Sequence, residues 1–108
     1  MPTYNKLVRD RIPEIIKRDG KQATTDILDS NHYIAELKSK LHEEVAEYQD
    51  ASTDADSLEE LADILEIMHA LSKTHGASIE NVEAIRQEKA RKRGGFDDKI
   101  YLIEVDDT

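Results

Sequence analysis

The sequence predicts an all-α protein of four helical segments. Three observations carry that expectation. Apolar residues recur at spacings of three and four along two long stretches, which is the helical period. Capping residues and glycines stand where those stretches begin and end. In the last of the four segments acids come early and bases late, the order that the helix dipole favours.

The first helix is short, about Asp10 to Asp19, with Pro13 tolerated in its first turn and Gly20 as its stop. Residues 21–29 connect, with Thr24 to Leu28 as a candidate extended piece. The second helix begins at Asp29 or Ser30, either of which can cap it, and runs to about Ala51. Ile34, Leu37, Leu41, Val45 and Tyr48 form its apolar stripe. After a polar loop, 52–56, the third helix is expected to start at Asp56, with Glu59 completing a capping box, and to stop before Gly76. It carries two adjacent stripes, Leu58–Leu61–Leu65–Met68 and Ile64–Ile67–Leu71. An arc that wide predicts cover on more than one side. Ser78 caps the fourth helix, with Val82, Ile85 and Lys89 with Ala90 as its buried edge, and Gly94 and Gly95 break it. The tail, 99–105, is rich in β-formers and is expected to be a short strand.

With 108 residues, the chain has the length of a single domain, 1–108. Charged residues make up 36% and hydrophobic ones 38%, a thin core for a monomer, so a homo-oligomer is expected, a dimer most simply or a tetramer. No cysteine is present, which excludes disulfides and thiolate metal sites. The N-terminus lacks an apolar run with a cleavage site, and no stretch approaches a membrane span. The expected address is the cytoplasm, with no membrane partner. A net charge of −9 argues against a nucleic-acid polymer as partner. The four histidines show no zinc-site spacing with a third ligand.

Charge is unevenly distributed. Eleven acids fall between Glu36 and Glu66, against Lys38 and Lys40. Within that stretch Glu44 pairs with Glu47 on the second helix and Glu60 with Asp63 on the third, because residues three apart are surface neighbours. Glu44 lies on the flank of its helix's apolar stripe, and Glu60 lies inside the apolar arc of the third. A carboxylate there is expensive unless something pairs with it. A divalent cation would relieve both the burial and the mutual repulsion. All-oxygen ligation selects a hard ion, Mg²⁺ with Mn²⁺ as substitute. Glu43 falls nearly opposite the stripe, and Glu66 reads as a surface charge.

Glu43-Glu44-x-x-Glu47, twelve residues, then Glu60-x-x-Asp63 resembles the signature of the MazG-like, all-α nucleoside triphosphate pyrophosphatase superfamily. Both flanks add to the likeness: Tyr4-Asn5-Lys6-Leu7-Val8-Arg9-Asp10-Arg11-Ile12-Pro13 and Lys92-Arg93-Gly94-Gly95-Phe96 resemble the opening and close of its phosphoribosyl-ATP pyrophosphohydrolase-like branch. The resemblance covers nearly the whole chain. It implies an antiparallel four-helix unit, completed by oligomerisation, and an Mg²⁺-dependent enzyme that converts a nucleoside triphosphate and water to a monophosphate and pyrophosphate. Glu44, Glu47, Glu60 and Asp63 match the metal-binding positions. Glu44 and Glu47 count also as catalytic, and Glu43 is the candidate helper or base. Asn5, Lys6, Arg9, Lys89, Lys92 and Arg93 become candidate substrate contacts, Arg suiting bidentate phosphate binding. The expected role is nucleotide house-cleaning or pool control. The alternatives are the phosphoribosyl-ATP step of histidine biosynthesis and a non-enzymatic helical module with a structural metal.

Overall fold

A computed structural model of the chain describes residues 2–107. It is all-α, as the periodicity predicts, with four helices in the order α1 (Ile12–Arg18), α2 (Ser30–Asp50), α3 (Asp54–Thr74) and α4 (Ile79–Arg93). Asp29 is the cap of α2, its carboxylate accepting from the His32 amide at 2.9 Å. Asn81 accepts at 2.9 Å from the amide of Ser78, the N-cap of α4. Gly76, just past the end of α3, takes φ +70°, a conformation that a side chain would strain.

One helix start and two candidate extended segments differ from expectation. α3 starts two residues earlier than Asp56, because the Thr53 hydroxyl accepts from the Asp56 amide at 3.1 Å and so caps the helix itself. Glu59 therefore has no capping role and stands exposed. The 99–105 segment is not a strand: a lone strand leaves its backbone groups unpaired, and no other strand exists among the described residues to pair with it. Ile100, Tyr101, Leu102 and Ile103 are all exposed there. Thr24 to Leu28 likewise forms no strand.

The centre of the molecule is the hairpin of α2 and α3. Only residues 51–53 separate them, so the two helices run antiparallel and pack along their length. Leu37 of α2 and Ile67 of α3 are the buried apolar residues of their seam. α4 packs on α3, and α1 packs against none of the other helices. The chain extends 67 × 36 × 23 Å with a radius of gyration of 18.8 Å, whereas a compact chain of this length has about 13 Å. No helix among the described residues is long and apolar enough to cross a membrane.

The two stripes of α3 have different fates. Ile64, Ile67 and Leu71 lie at least half out of solvent. The other stripe, Leu58, Leu61, Leu65 and Met68, is exposed along its whole length, with Leu58 at 66% and Leu65 at 48%.

Candidate metal centre

Seven residues separate Leu37 from Glu44 on α2, and seven separate Ile67 from Glu60 on α3. Seven residues is close to two full turns, so each glutamate returns to the face its helix turns toward the other. The seam is thus apolar in one layer and acidic in the next, roughly 10 Å along. This register buries Glu44 to 7% exposure and leaves Glu60 half-buried. With both carboxyls ionised, Glu44 Oε2 and Glu60 Oε2 are buried and no donor faces either; a proton on Glu44 lets the two carboxyls share a hydrogen bond. Such groups carry the full desolvation penalty of an unpaired polar atom.

Glu47, one turn beyond Glu44 and exposed, completes a cluster. Glu44, Glu47 and Glu60 each offer one oxygen, and the three lie within 4.8 Å of one another. Asp63 does not join them. Its carboxylate accepts from Arg9 Nη2 at 2.7 Å, tying the N-terminal segment to α3. Both partners are partly exposed, so the bridge itself contributes about 1 kcal/mol at most. Burial pushes the Glu44 carboxyl up from 4.5 to about 7, helped by the facing carboxyls of Glu60 and Glu47 and by the charge of Asp63. Lys40 Nζ lies 4.0 Å from Glu44 Oε1, beyond hydrogen-bond distance, and does not offset this.

A pH dependence follows. In the metal-free protein the folded chain holds the Glu44 proton between 4.5 and about 7, while the unfolded chain releases it. The group's contribution to stability is full below 4.5, declines as pH rises through about 7, and is level above that. The whole change is about 3 kcal/mol. Denaturant unfolding in chelator should show wild type losing stability relative to Glu44→Gln over this window. A difference constant with pH would show that Glu44 is not held protonated.

The remaining candidates divide into two groups. Asn5 and Lys6 line a polar cavity of about 140 Å³ with Glu36, Ser39, Lys40 and Glu43 of α2. Glu43 therefore lines that cavity, exposed, and is not one of the three converging carboxylates. Lys89, Lys92 and Arg93 line a separate, open concavity of about 430 Å³ on α4. Lys92 there pairs with Glu88 at 3.6 Å, and none of the three is ion-paired with a cluster carboxylate among the described residues. Lys40 and Glu36 were not among the residues singled out from sequence. The signal for Lys40 was its place four residues before Glu44, the spacing of a helical ion pair.

Over 54 residues, half of this chain, the sequence is 46% identical to an uncharacterized protein of Mycolicibacterium smegmatis (strain ATCC 700084 / mc(2)155). The match covers 55% of that protein, so the chain spans about half the length of the curated relative it matches. No protein-family model matches the chain, and no solved structure matches it.

Proposed function

We propose that this chain is a metal-dependent nucleoside triphosphate pyrophosphohydrolase, releasing a monophosphate and pyrophosphate, with a role in nucleotide house-cleaning or pool control. The observation that carries the reading is the pair of buried, unpartnered oxygens, Glu44 Oε2 and Glu60 Oε2, in a cluster of three converging carboxylates. A hard divalent cation, Mg²⁺ or Mn²⁺, fits that donor set. Glu44, Glu47 and Glu60 would hold it, with Asp63, now engaged by Arg9, as a fourth carboxylate one turn along α3. Bound there, the cation supplies positive charge for phosphate oxygens and a place for the attacking water.

The chain's own groups do the rest. The hairpin fixes the carboxylates on two rigid helices, so their geometry costs little to hold. Glu43, which is not one of the three converging carboxylates, would be the group to accept the water's proton. Asn5 and Lys6 beside the cavity, and Arg9 beside Asp63, present donors toward phosphate from the N-terminal segment. Lys89, Lys92 and Arg93 face the concavity on α4 and have no role in this reading within a single chain.

The reading includes a homo-oligomer. The buried apolar residues of the hairpin seam are Leu37 and Ile67, too few to hold a chain of this length. The exposed Leu58–Leu61–Leu65–Met68 seam repeats at three and four, the spacing by which helices pack on helices.

The test is a pyrophosphate-release screen over ribo- and deoxyribonucleoside triphosphates and phosphoribosyl-ATP, with Mg²⁺ and with chelator. Release dependent on Mg²⁺, with a rise in melting temperature on adding the ion, is the expected result. Absence of hydrolysis for every nucleotide, with no change in melting, would sink the proposal in favour of a non-enzymatic helical module.

A further inference from the structure

The concavity on α4 combines two chemistries. Ala84 and Ile85 line its apolar part, with Ile85 59% exposed. Lys89, Lys92 and Arg93 line the rest, against a single acid, Glu88. Lys89, Lys92 and Arg93 follow Ile85 by four, seven and eight residues, so all four share one face of the helix. A bare anion would answer the bases and leave Ile85 in water. A purely apolar group would do the reverse. The surface suits a segment that is apolar at one end and acidic at the other.

The C-terminal tail of this same chain is such a segment. From Ile100 to Asp107 it reads Ile-Tyr-Leu-Ile-Glu-Val-Asp-Asp, apolar first, acidic last and without a base. It leaves α4 through a turn in which the Lys99 amide donates to the Phe96 carbonyl at 3.1 Å. Beyond that turn Ile103 is 86% exposed and Val105 67%, so the tail is not packed on the α4 of its own chain. The chain exposes 10017 Å², whereas a compact monomer of 12.3 kDa exposes about 6,100 Å². An obligate dimer covers about 2,000–5,000 Å² over both copies, so the excess is of the size that a second copy covers.

Direction decides whose tail fits. α4 carries Glu80 and Glu83 at its start and Lys89, Arg91, Lys92 and Arg93 at its end. A tail folded back from Gly94 onto its own helix runs antiparallel to it. It advances roughly 3.3 Å per residue against about 1.5 Å for the helix. With Ile100 level with Arg93, Glu104 then falls near Glu83 and Asp107 near Glu80, like charge on like. A tail arriving from a second copy can run the other way. Ile103 then meets Ile85, and Asp107, about 13 Å further on, meets Arg93, which is about 12 Å along the helix from Ile85. Val105, on the same side of the extended tail, covers the stem of Lys89.

We propose that the C-terminal tail is an exchanged arm: residues 100–107 of each copy dock in the α4 concavity of a second copy, apolar residues on Ile85 and acids on Lys89 and Arg93. Each copy has one arm and one concavity, so a two-fold pair satisfies both. The inference rests on the homo-oligomer in the preceding reading and is independent of what the carboxylate cluster hydrolyses. It gives the basic end of α4 a partner in the assembly that it lacks in one chain.

The experiment exchanges charge between the two surfaces. One variant carries Lys89→Glu and Arg93→Glu, and the other carries Glu104→Lys and Asp107→Lys. All four positions are exposed, so circular dichroism should show the helices of both variants unchanged. In sedimentation each variant alone should self-associate about tenfold or more weakly than wild type, because like charges meet at both docking sites. An equimolar mixture should associate within about threefold of wild type, since each concavity then meets a tail of opposite charge. Wild-type self-association by both variants, or a mixture no tighter than either variant alone, overturns the exchange. Recovery only when all four substitutions stand in one chain would show the tail folding on its own α4 and would overturn it too. If Lys89→Glu with Arg93→Glu ends pyrophosphate release but leaves association unchanged, the concavity is a substrate site, the arm falls and the enzymatic reading stands.

Discussion

Glu60→Gln is expected to abolish pyrophosphate release while leaving the helical fold intact. Glu60 sits in the α2–α3 seam opposite Glu44, and its Oε2 is buried without a partner. Glutamine keeps the shape, removes the charge and adds a donor that can face Glu44. The metal-free protein should therefore be as stable as wild type or more so, because a repulsive carboxyl pair has been relieved. The same change takes an anionic ligand from the proposed cation. Several kcal/mol of transition-state charge stabilisation rest on such a site, so the rate should fall roughly a thousandfold. Glu66→Gln, exposed on the same helix, is the control and should change little. Urea unfolding in chelator, beside steady-state release rates, separates the two effects. Equal losses in the two variants, or a Glu60→Gln enzyme near wild type, would place the metal elsewhere.

Leu65→Glu is expected to dissociate the protein. In one chain Leu65 is 48% exposed, within the stripe of Leu58, Leu61 and Met68. On a monomer a glutamate at such a surface position alters stability by roughly half a kcal/mol or less. In a symmetric assembly the same substitution enters the interface once from each copy and buries unpaired charge there. Each apolar side chain of the stripe contributes about 1.5–3 kcal/mol when covered, so several lost together exceed what a small domain holds in reserve. Sedimentation at micromolar concentration should give a dimer or larger species for wild type, and a monomer with a sharply lower melting temperature for Leu65→Glu. A wild-type monomer, or a variant indistinguishable from wild type, contradicts the assembly.

The helices and the acidic seam were legible because both depend on local periodicity. Stripes at three and four placed α2 and α3, and Glu60's position inside an apolar arc pointed to its burial between them. The start of α3 is ambiguous in sequence because Asp56 and Thr53 are both good caps, and only geometry chooses Thr53. The tail misled through propensity: Ile100, Tyr101 and Ile103 favour strands, but propensity supplies no partner strand. The Arg9–Asp63 pair joins residues 54 apart and follows from the path of the N-terminal segment, which no spacing rule encodes. Lys40 reads from sequence as one of two bases in an acidic stretch; only the folded hairpin shows that it lines the polar cavity and lies 4.0 Å from Glu44.

The Glu44–Glu47–Glu60 cluster is proposed to serve attack of water at the phosphorus next to the sugar. Its most direct test is hydrolysis of the best nucleoside triphosphate in ¹⁸O-labelled water with Mg²⁺, read by phosphorus NMR. Attack at that phosphorus puts one label in the nucleoside monophosphate and none in the pyrophosphate. Label in the pyrophosphate, or in released orthophosphate, would place the attack at another phosphorus and contradict it.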